Sequence, residues 1–221
     1  MPVHREDTTG HPPHVDVHVV TPDRWNDLVQ LFERQGPRGG VPIPGHCWCM
    51  LWRDEQGPTD LRRAALKATV DQGRYPGLVA YMDGRPAGWV AVAPREDHSR
   101  LERSRQYGPM PGDHDVFAVT CFYVDREVRG TGVASALLDA AIDYARDSGA
   151  VALDAFPTTN LAPHALASRR AEENDSWMGR RASYEARGFV TIRDAGARTV
   201  MRLTFNSNRS HSPRPPRDLT N

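Results

Sequence analysis

The alternation of apolar and polar positions divides the chain into short strands and amphipathic helices between two polar ends. Residues 15–20, VDVHVV, alternate strictly at their start and predict a first strand. Trp25, Leu28, Val29 and Phe32 then recur at helical spacing behind Thr21-Pro22, where threonine suits an N-cap and proline a first helical turn. Residues 36–45, dense in Gly and Pro, predict a loop, and Leu61, Ala64, Ala65, Ala68 and Val70 give one apolar face to a second helix over 59–71. Two β-rich runs meet at Asp83-Gly84, so residues 77–93 predict a hairpin. Residues 94–112 are polar and carry Arg95, Arg100, Arg103 and Arg105; they predict a mobile loop whose arginines either face solvent or reach an anion. Further strands are predicted at 116–124, 150–156, 189–192 and 199–205, the last two joined across Asp194-Ala195-Gly196. Residues 157–175 form a long connection, weakly helical near 165–173.

The sharpest signal lies just past residues 116–124. There the period changes from two to that of a helix, with Val133, Leu137, Leu138, Ala141 and Tyr144 on one face. Between strand and helix sits Arg129-Gly130-Thr131-Gly132-Val133-Ala134. The first turn of a helix leaves backbone N–H groups unpaired at the positive end of its dipole. Two glycines let an anion approach that backbone closely, and Arg129 adds charge, which together describe a pyrophosphate site. The spacing is not that of a dinucleotide-binding GxGxxG turn, and no Gly-Lys-Ser/Thr follows to make a P-loop.

Composition narrows the function. With 221 residues, the chain suits one domain with extensions. Apolar content of 39%, with 18 Gly and 18 Pro, suits a compact domain with disordered ends, here 1–14 and 206–221 around a domain at 15–205. The 28 basic and 28 acidic residues balance, which argues against a nucleic-acid partner. No apolar run is long enough for a membrane span and the first residues lack a secretory core, so a cytoplasmic location is expected. Three cysteines make a disulfide framework unexpected.

Residues 46–53, HCWCMLWR, place two thiols, two indoles, a thioether and an imidazole together. A structural zinc site needs about four ligands in two separated pairs, and the remaining cysteine is Cys121, so no metal is expected. The segment is either a buried apolar plug or one wall of a binding pocket, with Cys47, Trp48 and Trp52 as its candidates.

The pattern [QR]-x-x-G-x-[GA], behind a strand ending in Val124 and opening an alanine-rich helix, resembles the coenzyme A site of the GNAT acetyltransferase superfamily. A second stretch supports it: Tyr184 on a short predicted helix, then Gly188 and Phe189, resembles the superfamily's second signature. Gly188 also suits the C′ position that ends such a helix. The asparagine usual upstream of this tyrosine is not at its customary distance; Asn160 and Asn174 are the candidates. The resemblance spans residues 15–205 and implies an α/β (α+β) fold: a mixed, mostly antiparallel sheet of about seven strands, splayed after the fourth and flanked by about four helices.

It also implies acetyl-CoA as co-substrate and direct transfer of the acetyl group to a primary amine of a small molecule, an antibiotic or amine metabolite. The coenzyme's amide-bearing arm would lie along Phe122, Tyr123 and Val124, and its pyrophosphate on Arg129, Gly130, Thr131, Gly132, Val133 and Ala134. The Val124 N–H would face the developing oxyanion, and Tyr184 would serve the leaving thiolate. Asp154, alternating with Leu153 and Ala155, is a candidate base or a solvated strand-end carboxylate; His114 and Asp115 are alternatives. Cys121 lacks a neighbouring base in sequence, so a covalent step is not expected. A protein lysine or N-terminus as acceptor, a non-catalytic acyl-CoA-binding module and a homodimer paired through the last strands stay open alongside.

Overall fold

The computed structural model describes residues 14–34, 48–50, 52–53, 57–158, 176–196 and 198–205. The two expected tails, apart from His14, lie outside the described residues, as do Cys47, Asn160, Asn174 and the weak helix near 165–173. Seven strands form one sheet: β1 (Val15–Val19), β2 (Gly77–Met82), β3 (Arg85–Pro94), β4 (Val116–Val124), β5 (Ala152–Ala155), β6 (Val190–Ala195) and β7 (Arg198–Thr204). Their spatial order is β1-β2-β3-β4-β5-β7-β6. The β4–β5 pair is parallel and every other pair antiparallel, so the expected mixed sheet is present. The β2–β3 hairpin turns at Asp83 (φ 50°) and Gly84 (φ 74°), the left-handed pair that a two-residue Asp-Gly turn requires.

Helices cover both faces. α1 (Trp25–Glu33) and α2 (Thr59–Asp71) pack on one side with Trp48, Cys49 and Met50 against Val79, Trp89, Ala91 and Cys121 of the sheet. On the other side, α4 (Val133–Asp147) buries Val133, Leu137, Leu138, Ala141 and Ala145 against Val90, Val119 and Phe122. Each such side chain, fully buried, contributes up to about 1.5–3 kcal/mol, alanines less. Two short α-helices, α3 (Ser99–Glu102) and α5 (Arg181–Glu185), and four single 3-10 turns, Pro22–Arg24, Arg95–Asp97, Arg126–Val128 and Ser176–Met178, complete the described elements. No helix among the described residues is long and apolar enough to cross a membrane.

Residues 94–112 differ from the mobile loop that their polarity predicts. Arg95 is 5% exposed, and His98 and Leu101 are fully buried. Arg95 reaches Asp154 on β5 at 2.6 Å and Glu102 at 3.0 Å. Arg202 on β7 grips Asp154 at 2.7 Å and Asp113 at 2.6 Å. A chain of alternating charges therefore ties this segment to two strands, and Leu101 drops into a small core with Phe156, Met178 and Val200. Ion pairing between residues far apart in sequence leaves no periodic trace, which is why the segment reads as a loop.

Candidate active site

The sheet opens along β4. Parallel pairing with β5 ends at Val119↔Ala155, while β4 continues to Val124, still paired with β3 through Gly88↔Val124. Phe122 and Val124 thus lie on the part of β4 that extends past β5. At its end, Asp125 accepts from the Glu127 N–H and donates its own N–H to Ala87 O, and Arg34 holds its carboxylate at 2.9 Å. This anchors the exit of the strand. The chain then turns through residues 129–132 into α4.

Gly130 (φ 83°) and Gly132 (φ 97°) occupy left-handed conformations, and a Cβ built on either would meet nothing within 4 Å. The space beside them is therefore open, and backbone conformation rather than crowding calls for glycine. The first i→i−4 bond of the helix runs from the Ala136 N–H to Gly132 O. The N–H groups of Val133, Ala134 and Ser135 precede it and sit at the positive helix end. Gly88 seats this helix: a Cβ there would lie 2.8 Å from Val133 Cγ1 and 3.1 Å from Tyr123 O, so only glycine lets the first turn of α4 settle against β3. Arg129, exposed, donates from Nε to Val124 O at 3.3 Å, and Thr131 Oγ1 donates to Val128 O at 2.6 Å. A cradle of open glycines, leading donors of a helix and an adjacent strand end fits a pyrophosphate with an extended amide-bearing arm.

Tyr184 lies on α5, which ends as its sequence suggests: Gly188 is at φ 84°, and the Phe189 and Gly188 N–H groups return to Tyr184 O and Glu185 O. Its ring packs edge-on against Phe189 at 5.1 Å. The side chain is fully buried, and its hydroxyl donates to Met178 O at 2.7 Å. Gly179 closes over it; a Cβ there would fall 2.6 Å from the Tyr184 hydroxyl oxygen. Burial, with the Cys121 thiol adding to it, pushes the phenol far above its ordinary value, so it keeps its proton across the neutral range.

Asp154 corrects the expectation of a base in the cleft. It does alternate with Leu153 and Ala155, but the face it shares holds Arg95 and Arg202. It is fully buried, Oδ2 accepts from both guanidiniums and Oδ1 from Arg202. Both of its oxygens are taken up by guanidinium donors, which suits a scaffold and not proton transfer. Trp48 likewise belongs to the core: at 5% exposed it packs on Trp25 and Phe32, with the Arg63 guanidinium 5.3 Å from its ring. Trp52 is half-buried against Tyr107 at 5.7 Å. No group of three or more His, Cys, Asp or Glu residues suited to a metal occurs among the described residues.

A family model, the acetyltransferase (GNAT) family, matches residues 25–171, from α1 past the end of β5. The chain belongs to the GNAT acetyltransferase family. It is an acetyl-CoA-dependent acetyltransferase, with acetyl-CoA as co-substrate. Among solved structures, this GNAT chain is similar to yncA of Salmonella typhimurium, a candidate acetyltransferase with acetyl-CoA bound. That match has 16% identity, 90% of this chain and 98% of that one covered, and a TM-score of 0.48. It is also similar to a GNAT-family acetyltransferase of Streptococcus pneumoniae, with 15% identity, coverage of 87% and 100%, and a TM-score of 0.47. A third is the ribosomal-protein-alanine N-acetyltransferase of Brucella melitensis, with 17% identity, coverage of 86% and 99%, and a TM-score of 0.46. No curated protein matches the sequence.

Proposed function

We propose that this acetyltransferase carries acetyl groups to a primary amine of a small molecule, with the coenzyme held along the end of β4 and over the first turn of α4. The observation that carries the coenzyme placement is a run of three features in succession: β4 extends past β5 from Val119 to Val124, the two glycines leave open space, and the leading N–H groups of α4 precede its first internal bond. Phe122, Tyr123 and Val124 meet the amide-bearing arm. Arg129, Gly130, Thr131, Gly132, Val133 and Ala134 meet the pyrophosphate, with Arg129 turning from Val124 O toward the anion.

Acetyl-CoA supplies an activated thioester. The chain orients that thioester, and the Val124 N–H stabilises the oxyanion as the neutral amine attacks. Tyr184 serves the departing sulfur: its hydroxyl exchanges the Met178 carbonyl for the thiolate as hydrogen-bond acceptor, one partner for another. The amine proton passes to water. A small acceptor is favoured because residues 48–50 are held down against the sheet, and residues 52 and 53 against residues 97–100, and not lifted away as the side of a groove. Trp89 Nε1 donates to Cys49 Sγ at 2.7 Å, Arg53 Nη1 donates to Asp97 O at 3.3 Å, and the Arg100 N–H reaches Trp52 O. Trp52 is then the described member of this segment placed to border the acceptor.

The test is thiol release from acetyl-CoA across a panel of small amines and of lysine- and N-terminus-bearing peptides of matched concentration. The expected result is turnover with one or more small amines and none with peptides. Turnover with peptides alone would overturn the small-acceptor reading and leave the coenzyme placement standing.

A further inference from the structure

His98 and Thr120 have no part in the steps above, yet both are buried in the middle of the molecule. His98, fully buried just before α3, has Nδ1 3.2 Å from Pro94 O and Nε2 3.2 Å from Thr120 Oγ1. A carbonyl oxygen only accepts, so Nδ1 carries the proton; Nε2 is then the acceptor and the Thr120 hydroxyl the donor. Burial first, then the charges of Arg53 and Arg95, push the imidazole down to about 3, which keeps it neutral and makes it too weak a base for proton abstraction.

Thr120 is the residue where β4 changes phase. Ala91 pairs with Cys121 but Val92 pairs with Val119, so Thr120 is an extra residue on β4, a β-bulge. The side chains show the same shift. Val119 and Phe122 pack on the α4 side, whereas Cys121 packs with α1 and α2 and Thr120 reaches His98 on that same side. Two consecutive residues therefore point to one face. In a strand, successive peptide groups face alternate edges, so one inserted residue swaps which N–H and C=O groups look toward each edge. The swap falls at the residue after the last β4–β5 pair, Val119↔Ala155.

We infer that His98 is a positioning residue for the coenzyme. Its hydrogen bond from Thr120 holds the bulge, and the bulge sets which backbone groups of Phe122 and Val124 meet the coenzyme's arm. His98 touches no reacting atom. The inference rests on the coenzyme lying along β4.

Calorimetry with two ligands separates the two ideas. Acetyl-CoA carries the arm; 3′-phospho-ADP carries the pyrophosphate without it. Thr120→Val keeps the shape and removes the hydroxyl, Thr120→Ser restores it, and His98→Asn removes the acceptor from the other side. The expected result is acetyl-CoA binding about tenfold weaker in Thr120→Val and His98→Asn, 3′-phospho-ADP binding unchanged, and wild-type affinity in Thr120→Ser. Equal loss of both ligands, no loss of either, or failure of both variants to fold would overturn a role confined to the arm. A folded wild type that binds neither ligand would overturn the coenzyme placement itself.

Discussion

The two ends of β4 are both rich in polar residues and do opposite things with them. Before the strand, Arg95, Asp154, Arg202 and Asp113 form a closed chain in which each charge meets its counter-charge. Past the strand, Gly130 and Gly132 open the surface and the first N–H groups of α4 precede its first internal hydrogen bond. Polar groups that satisfy one another build scaffold; donors that the fold aims outward build a site. The strand between them makes the same division, paired on both sides through Val119 and beyond β5 thereafter.

Breaking the closed end is expected to have the largest effect. Asp154→Asn leaves the buried Arg95 and the part-buried Arg202 short of charge and should cost about 3–5 kcal/mol, read from urea unfolding, with acetyl-CoA affinity of the folded protein unchanged. Full stability with activity abolished would reverse the comparison and return Asp154 to catalysis. At the open end, Gly132→Val should weaken acetyl-CoA binding by on the order of several hundredfold, because a branched side chain occupies the phosphate space. It should cost only about 1–2 kcal/mol of stability, from the left-handed conformation. Tyr184→Phe comes next: thiol release should slow by about 10²-fold with affinity nearly unchanged, the low end of what one hydrogen-bond donor to a developing anion supplies.

The smallest effect, read between pH 6.5 and 5, is a pH dependence. The His98 imidazole titrates near 6.5 in the unfolded chain and is pushed down to about 3 in the fold. Below pH 6.5 the unfolded state binds a proton that the native state refuses, so stability falls as pH drops toward 3, by up to about 1.4 kcal/mol per pH unit. Asp113, held below its usual range first by Arg202, works in the same direction but in stronger acid. Between pH 6.5 and 5, His98→Gln should therefore flatten the profile by about one proton's worth, and parallel profiles would contradict the buried neutral ring.

Local features were legible in the sequence because their causes are local. Asp83-Gly84 marks its hairpin, Gly188 its helix end, and the change of period at 124–133 the strand and helix that frame the candidate site. What the pattern missed depends on partners distant along the chain. Arg95 and Asp154 are 59 residues apart, and Arg202 and Asp113 are 89 apart. The phase of Asp154 was readable, but its companions on that face were not. Trp48 gave no sign whether it would wall a pocket or fill the core. The bulge at Thr120 hides because VTCF fits simple alternation as well as it fits the shifted register.

The most direct test of the central claim is calorimetric titration of the full chain with acetyl-CoA, beside Gly132→Val. The account predicts one-to-one binding by the wild type and its near loss in a variant that stays folded. Equal affinity in the two proteins would place the coenzyme somewhere other than the first turn of α4.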